Sequence, residues 1–212
     1  MIWIAGVCFV CLGICLPLFM YYKKSLRLPL ATAYKCLGTL CAFLLALIAA
    51  IRLDPRCYIC ALAILIYTVA DGFLEFSFMA GTGFFLTGHI CAVAFFLNLC
   101  PISAVQPVCF LLLGGTMALV FVKWRKPIGR QIPSFAVYGA SLVAMCSCAI
   151  GCFMLHNLMG ILFAAGGTLF FISDFMLLRR TLFPSSRTLS WCIMTTYYAA
   201  LLLYGIACLQ IC

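Results

Sequence analysis

Acidic residues are almost missing from this sequence. Asp54, Asp71, Glu75 and Asp174 are the only four in 212 residues, and charge of either sign makes up 8% of the chain. An average soluble domain carries about 25% charged residues. Here 67% of the residues are hydrophobic, more apolar surface than a soluble core of this length can enclose. A soluble globular fold is excluded, and the bilayer must serve as the solvent. A basic n-region is missing as well. The apolar run from Ile2 to Met20 is followed, not preceded, by Lys23, Lys24 and Arg27. Ala31-Thr32-Ala33 mimics a cleavage site but lies beyond those charges, so the run reads as a first span kept in the mature protein.

Cysteine is abundant, at 16 residues, but without the pattern of a disulfide framework or a zinc site. Cys8, Cys11, Cys15, Cys41, Cys146 and Cys148 lie inside apolar runs, where cysteine behaves as a small hydrophobe. Cys57 and Cys60 form a C-x-x-C, but no second pair or nearby His completes it. No metal and no cofactor is expected.

What is present is a succession of apolar runs. A spanning helix needs about 20 mostly apolar residues. Eight runs qualify: 2–21, 29–51, 57–76, 82–99, 104–122, 133–153, 157–178 and 189–211. They consume nearly the whole chain, which predicts one all-α transmembrane domain over 1–212, a polytopic bundle of eight helices with short loops. Pro29, Pro55, Pro101, Pro107, Pro133 and Pro184 punctuate the ends.

The basic residues sort by face. Lys23, Lys24 and Arg27 fall in the 1–2 loop, Lys123, Arg125, Lys126 and Arg130 in the 5–6 loop, and Arg179, Arg180 and Arg187 in the 7–8 loop. Only Arg52 and Arg56 lie on the other face, partly balanced by Asp54. The positive-inside rule then places the odd-numbered loops in the cytoplasm and both termini on the extracytoplasmic or lumenal side. The membrane would be the endoplasmic reticulum in an animal cell and the inner or plasma membrane in a bacterium. The net charge of +9 is read as topology anchors touching anionic headgroups, not as a nucleic-acid surface.

Ionisable residues inside spans are costly and mark function by default. Lys35 lies early in the second span, Asp71 and Glu75 late in the third, His89 early in the fourth, Asp174 late in the seventh, and Tyr197 and Tyr198 early in the eighth. At 1.5 Å per residue all lie about 2 to 14 Å inside the same boundary, the one that carries the basic loops. Five helices thus contribute to one polar slab. Asp71 and Glu75 share a helix face at i, i+4, with Tyr67 one turn earlier. Two carboxylates so placed repel, which suits a general acid beside a general base. The bland alternatives are a neutralising Lys35–Asp71 contact, a Glu75 that snorkels to the headgroups and a packing role for His89. His156, at the opposite face, receives no role. The stretch from Ile66 to Leu74 also echoes that from Leu169 to Leu177, on spans that run the same way. A parallel four-plus-four duplication would set Asp71 and Asp174 facing each other.

At these residues the chain resembles the lysoplasmalogenase family, the YhhN-type membrane proteins. The resemblance is carried by Lys35-Cys36-Leu37, Ala70-Asp71, Phe84-Phe85-Leu86-Thr87-Gly88-His89, Phe171-Ile172-Ser173-Asp174 and Met194-Thr195-Thr196-Tyr197-Tyr198-Ala199-Ala200. It runs from about Tyr34 to Leu203. Ala70 stands where the family tends to have Gly, Ala92 where it has Tyr and Leu201 where it has Gln.

The resemblance implies a hydrolase that cleaves the vinyl ether of a lysoplasmalogen, a membrane lysophospholipid. The products would be a fatty aldehyde and a glycerophospho-ethanolamine or -choline. Asp71, Asp174 and His89 would be catalytic, with Lys35, Glu75, Tyr197, Tyr198 and Ser173 binding or orienting the substrate. The alternatives are a non-catalytic lipid-binding relative and a small transporter on the same fold. Assembly as a homo-oligomer stays open.

Overall fold

The computed structural model describes residues 2–211, and the chain is helical almost throughout, with no strand among those residues. Eight helices are long and apolar enough to cross a membrane: α1 (Ile2–Lys24), α2 (Leu28–Arg52), α3 (Cys57–Leu74), α4 (Phe78–Leu99), α5 (Val105–Lys123), α6 (Ile132–Gly151), α7 (Leu158–Leu182) and α8 (Arg187–Cys208). The protein is a multi-pass integral membrane protein.

Local chemistry fixes the helix ends. Pro29 and Pro133 stand in the first turns of α2 and α6, where a missing N–H costs nothing. Ser77, Asn157 and Ser186 cap α4, α7 and α8, each side chain accepting a backbone N–H from three residues on. The Ser77 cap starts α4 four residues before the expected 82. α7 runs to Leu182, four residues past the expected end, because long Arg179 and Arg180 side chains can leave the apolar zone while their backbone stays helical. His156 takes a left-handed conformation (φ 52°) in the tight α6–α7 connection. Within α1 the stretch Val10–Cys15 widens into a π turn just before Pro17, and the N–H of Leu16 reaches back to the carbonyl of Cys11. Pro17 has no N–H, and its ring would crowd the carbonyl one α-turn earlier, so the wider turn relieves the clash.

Six helices close a ring. α2 packs on α3, α3 on α4, α4 on α6, α6 on α7, α7 on α8, and α8 returns to α2. α1 leans on α2 from outside, and α5 packs chiefly on α6. The pattern is unchanged if α1–α4 are exchanged with α5–α8, as a four-plus-four arrangement requires. The outer helices meet lipid: 11% of the α5 span is buried, against 61% of the α8 span. Close approach within the ring relies on small residues. A Cβ at Gly38 would stand 2.7 Å from the Tyr198 ring, and one at Gly88 would overlap the Tyr67 ring.

Aromatic side chains fill the ring's centre. Tyr67 (α3), Phe85 and His89 (α4), Tyr138 (α6), Phe170 (α7) and Tyr197 (α8) touch one another at centroid separations of 5.1–6.4 Å, mostly tilted or edge-on. Phe95, Phe96, Phe163 and Tyr204 continue the stack toward the other face. Every described cysteine is a free thiol, and most are buried in the apolar packing. Asp54 stands apart from the other acids, in the α2–α3 turn. Its hydrogen bonds from the Arg56 guanidinium hold its carboxyl below the ordinary carboxylate range.

Candidate active site

The remaining three acids, Asp71, Glu75 and Asp174, line one cavity of about 310 Å³. It lies at the end of the bundle where α1, α3 and α7 finish and α4 and α8 begin. Lys23, Lys35 and Arg180 share its walls, with Ser173, Tyr197 and an apolar side that includes Phe19, Phe78 and Phe85.

Asp71 has the most elaborate surroundings. It is 1% exposed. Thr39 donates to its Oδ2 at 2.5 Å, Tyr197 donates to the same oxygen at 2.8 Å, and Lys35 Nζ stands 3.3 Å from its Oδ1. Two neighbouring helices, α2 and α8, therefore hold this one carboxylate of α3. α2 can do this because Lys35 and Thr39 lie one turn apart on one face, and α8 because the Tyr197 hydroxyl extends across the ring. Satisfying a buried charge this fully is what keeps it tolerable in an apolar bundle.

Lys35 bridges the two carboxylates of α3. Its Nζ lies 3.3 Å from Glu75 Oε1 as well as from Asp71. Glu75 also pairs with Lys23 of α1, both carboxylate oxygens accepting at 2.8–2.9 Å. The i, i+4 spacing of Asp71 and Glu75 thus serves an alternating chain, Lys23–Glu75–Lys35–Asp71. The simple repelling pair expected from the sequence is interleaved with ammonium groups. Of the bland alternatives for these residues, the Lys35–Asp71 contact is present, while Glu75 is held inside by two ammonium groups rather than snorkelling out.

Asp174 is held differently. Its one side-chain partner among the described residues is the hydroxyl of Tyr138, which donates to Oδ2. Among the described residues no cation lies within ion-pair distance of it. Its neighbour Ser173 lines the cavity too, but its hydroxyl donates to the carbonyl of Ile193 and ties α7 to α8.

Two expected residues stand back from the cavity. Tyr198 packs over Gly38 and donates to the backbone carbonyl of Lys35, so it steadies the turn that presents the ammonium. His89 is fully buried behind Phe85, its Nδ1 sharing a 2.9 Å hydrogen bond with the Tyr67 hydroxyl. Its Nε2 is buried without a hydrogen-bond partner among the described residues. Neither residue is among those that line the cavity. Ala92 and Leu201 are buried in the apolar core, so the layer beyond Tyr197 offers no polar group at these positions.

Four residues of the site escaped the sequence reading. By sequence Lys23 and Arg180 are loop anchors. Thr39 gave one signal, its one-turn spacing from Lys35. Tyr138 gave another: the shift that carries Asp71 onto Asp174 carries Lys35 onto Tyr138. Each Asp is therefore held by the residue at the matching position of the preceding helix.

No curated protein and no solved structure matches the chain. The YhhN family is matched over residues 30–206, a stretch that contains Lys35, Asp71, Glu75, Asp174 and Tyr197, and the chain belongs to that family.

Proposed function

We propose that this protein is a lysoplasmalogenase-like hydrolase that cleaves the vinyl ether bond of a lysophospholipid by carboxyl general acid–base catalysis. The observation that carries the reading is that Asp71 and Asp174, from matching positions of α3 and α7, line one cavity together with the Arg180 guanidinium. Hydrolysis of an enol ether needs a proton on the β-carbon of the double bond. The oxocarbenium ion so formed takes water at the carbon bearing oxygen. The hemiacetal then collapses to an aldehyde and the free glycerol hydroxyl. One carboxyl acid and one carboxylate are enough.

The surroundings divide the roles. Asp174, held by the neutral Tyr138 hydroxyl, carries the proton to the β-carbon. Asp71, the counter-ion of Lys35, stays a carboxylate, faces the cationic intermediate and draws a proton from the attacking water. Arg180 has no ion-pair partner among the described residues and lines the cavity wall. Its planar fork suits the lipid phosphate. Lys23 is the second cation near it. His89 acts through Tyr67 and the aromatic layer rather than on the substrate.

The basic loops support a cytoplasmic position for this end of the bundle, with both termini on the opposite side. A transporter is disfavoured because aromatic rings pack the bundle beyond the cavity. The test is aldehyde release by purified, monodisperse protein given lysoplasmenyl-ethanolamine or its choline analogue. Release by the parent, lost in Asp71→Asn and Asp174→Asn, supports the reading. A folded parent that releases none overturns it in favour of a lipid-binding role.

A further inference from the structure

The polar cavity does not end at Asp174. On the far side of Phe85 lies an apolar cleft of about 30 Å³, walled by α4, α5, α6 and α7 and by Leu74 at the end of α3. It shares Leu74, Phe78, Phe85, Asp174 and Leu177 with the polar cavity, and Asp174 is the one charged residue at this junction. Beyond the cleft an open groove of about 370 Å³ runs between the first turns of α4 and α6. Thr82 and Tyr138 belong to both cleft and groove and form the threshold. The groove wall is otherwise Met79, Gly83, Leu86 and Val137 with Pro133 and Ser134, on the lipid-facing side of the ring.

We infer that the α4–α6 seam is a lateral portal through which the single hydrocarbon chain of a lysophospholipid leaves the site and lies in the bilayer. This rests on the lysophospholipid reading of the polar cavity. A headgroup held by Arg180 and Lys23 places the glycerol among the carboxylates. The chain must then go where water is excluded and the walls are apolar, and the cleft beginning at Asp174 is such a route. It meets lipid directly, so the chain need not cross the headgroup layer. The order of groups along the route also matches the substrate: phosphate at the cations, vinyl ether between Asp71 and Asp174, alkyl chain past Phe85 and Tyr138. The narrow cleft opens by displacement of its own flexible walls, Phe78, Met117 and Phe121. The Thr82 hydroxyl is satisfied by the carbonyl of Phe78, leaving its methyl free to face the chain.

A side chain can be started at Gly83 on the groove wall, since a Cβ there would meet nothing within 4 Å. Gly115, on exposed α5, is equally open and serves as the control. The experiment uses a non-hydrolysable alkyl lysophospholipid with a diazirine on its chain, photolysed with the full-length protein in liposomes and mapped by peptide mass spectrometry. The expected result is labelling concentrated on Met79, Leu86 and Val137. It should fall by about tenfold in Gly83→Trp, which replaces the chain's apolar contacts, and persist in Gly115→Trp. Labelling spread evenly over the lipid-facing helices, or labelling of the seam unmoved by Gly83→Trp, would overturn the portal. The probe is not turned over, so this result is independent of aldehyde release, and a failed hydrolase reading shows separately in the activity assay.

Discussion

The Tyr138 hydroxyl of α6 donates to Asp174 of α7, as the Lys35 ammonium of α2 reaches Asp71 of α3. One architectural device thus holds both aspartates, but with an ion on one side and a neutral hydroxyl on the other. Two carboxylates in matching scaffolds become chemically different through this exchange of side chain and through the Thr39 and Tyr197 hydroxyls that only Asp71 receives. Tyr138→Phe keeps the ring that packs against His89 and removes only the donor. The turnover number is expected to fall by about 10- to 100-fold, the range of a misplaced acid, with little change in KM. A steady-state comparison at matched thermal stability checks this. An unchanged turnover number would detach Tyr138 from the chemistry.

If the two aspartates act as one unit, their losses do not multiply. Asp71→Asn and Asp174→Asn are each expected to lower aldehyde release by about 10²- to 10⁴-fold, and the double variant by little more than the worse single one. Multiplicative losses would point to separate roles in separate steps.

The chain Lys23–Glu75–Lys35–Asp71 predicts an asymmetry in stability. Lys35→Met leaves Asp71 and Glu75 close together without the ammonium between them, a loss of about 3–5 kcal/mol for breaking a buried ion pair. Adding Glu75→Gln removes one of the stranded charges and should recover part of that loss. Thermal unfolding in detergent of the two singles and the double measures the coupling. Additive effects would mean that Lys35 does not bridge the carboxylates.

Arg180 and Asp71 should separate in kinetics. Arg180→Met removes phosphate binding that is made equally in ground and transition states, so KM rises by about tenfold while the turnover number holds. Arg180→Lys, which keeps the charge but not the fork, should lie between. An unaltered KM for the lysophospholipid would remove the headgroup from this part of the wall.

The helices and the polar slab were legible in the sequence because hydropathy and charge are properties of single residues and of short windows. Asp71, Glu75, Asp174, Lys35 and Tyr197 stood out as polar groups where lipid forbids them, and all five line the cavity. Partnership was not legible. Tyr138 and Thr39 are ordinary residues of apolar spans, and only ring closure brings them to carboxylates. Lys23 and Arg180 looked like topology signals because a snorkelling cation and a site cation occupy the same depth. His89 and Tyr198 carry the same polarity signal as the others, but a helix has two sides, and theirs turn away from the cavity.

Two glycines of α4, five residues apart, should respond in opposite ways to the same substitution. A Cβ at Gly88 overlaps the Tyr67 ring, whose hydroxyl holds His89 Nδ1 and whose face supports Phe85. Gly88→Ala forces that ring outward and disturbs the layer beneath the cavity, an overpacking cost of about 1–3 kcal/mol. A Cβ at Gly83 meets only open space, so Gly83→Ala gains the helix preference of alanine, up to about 1 kcal/mol. In a chain of this size each kcal/mol moves the melting temperature by about 2–4 °C, so the two variants should melt on opposite sides of the parent. Gly88→Ala should also lose activity more than its stability loss explains, because Phe85 separates the polar cavity from the apolar cleft. Equal melting of the two variants would show that Tyr67 moves freely, and the aromatic layer would then not be the rigid floor on which the site is built.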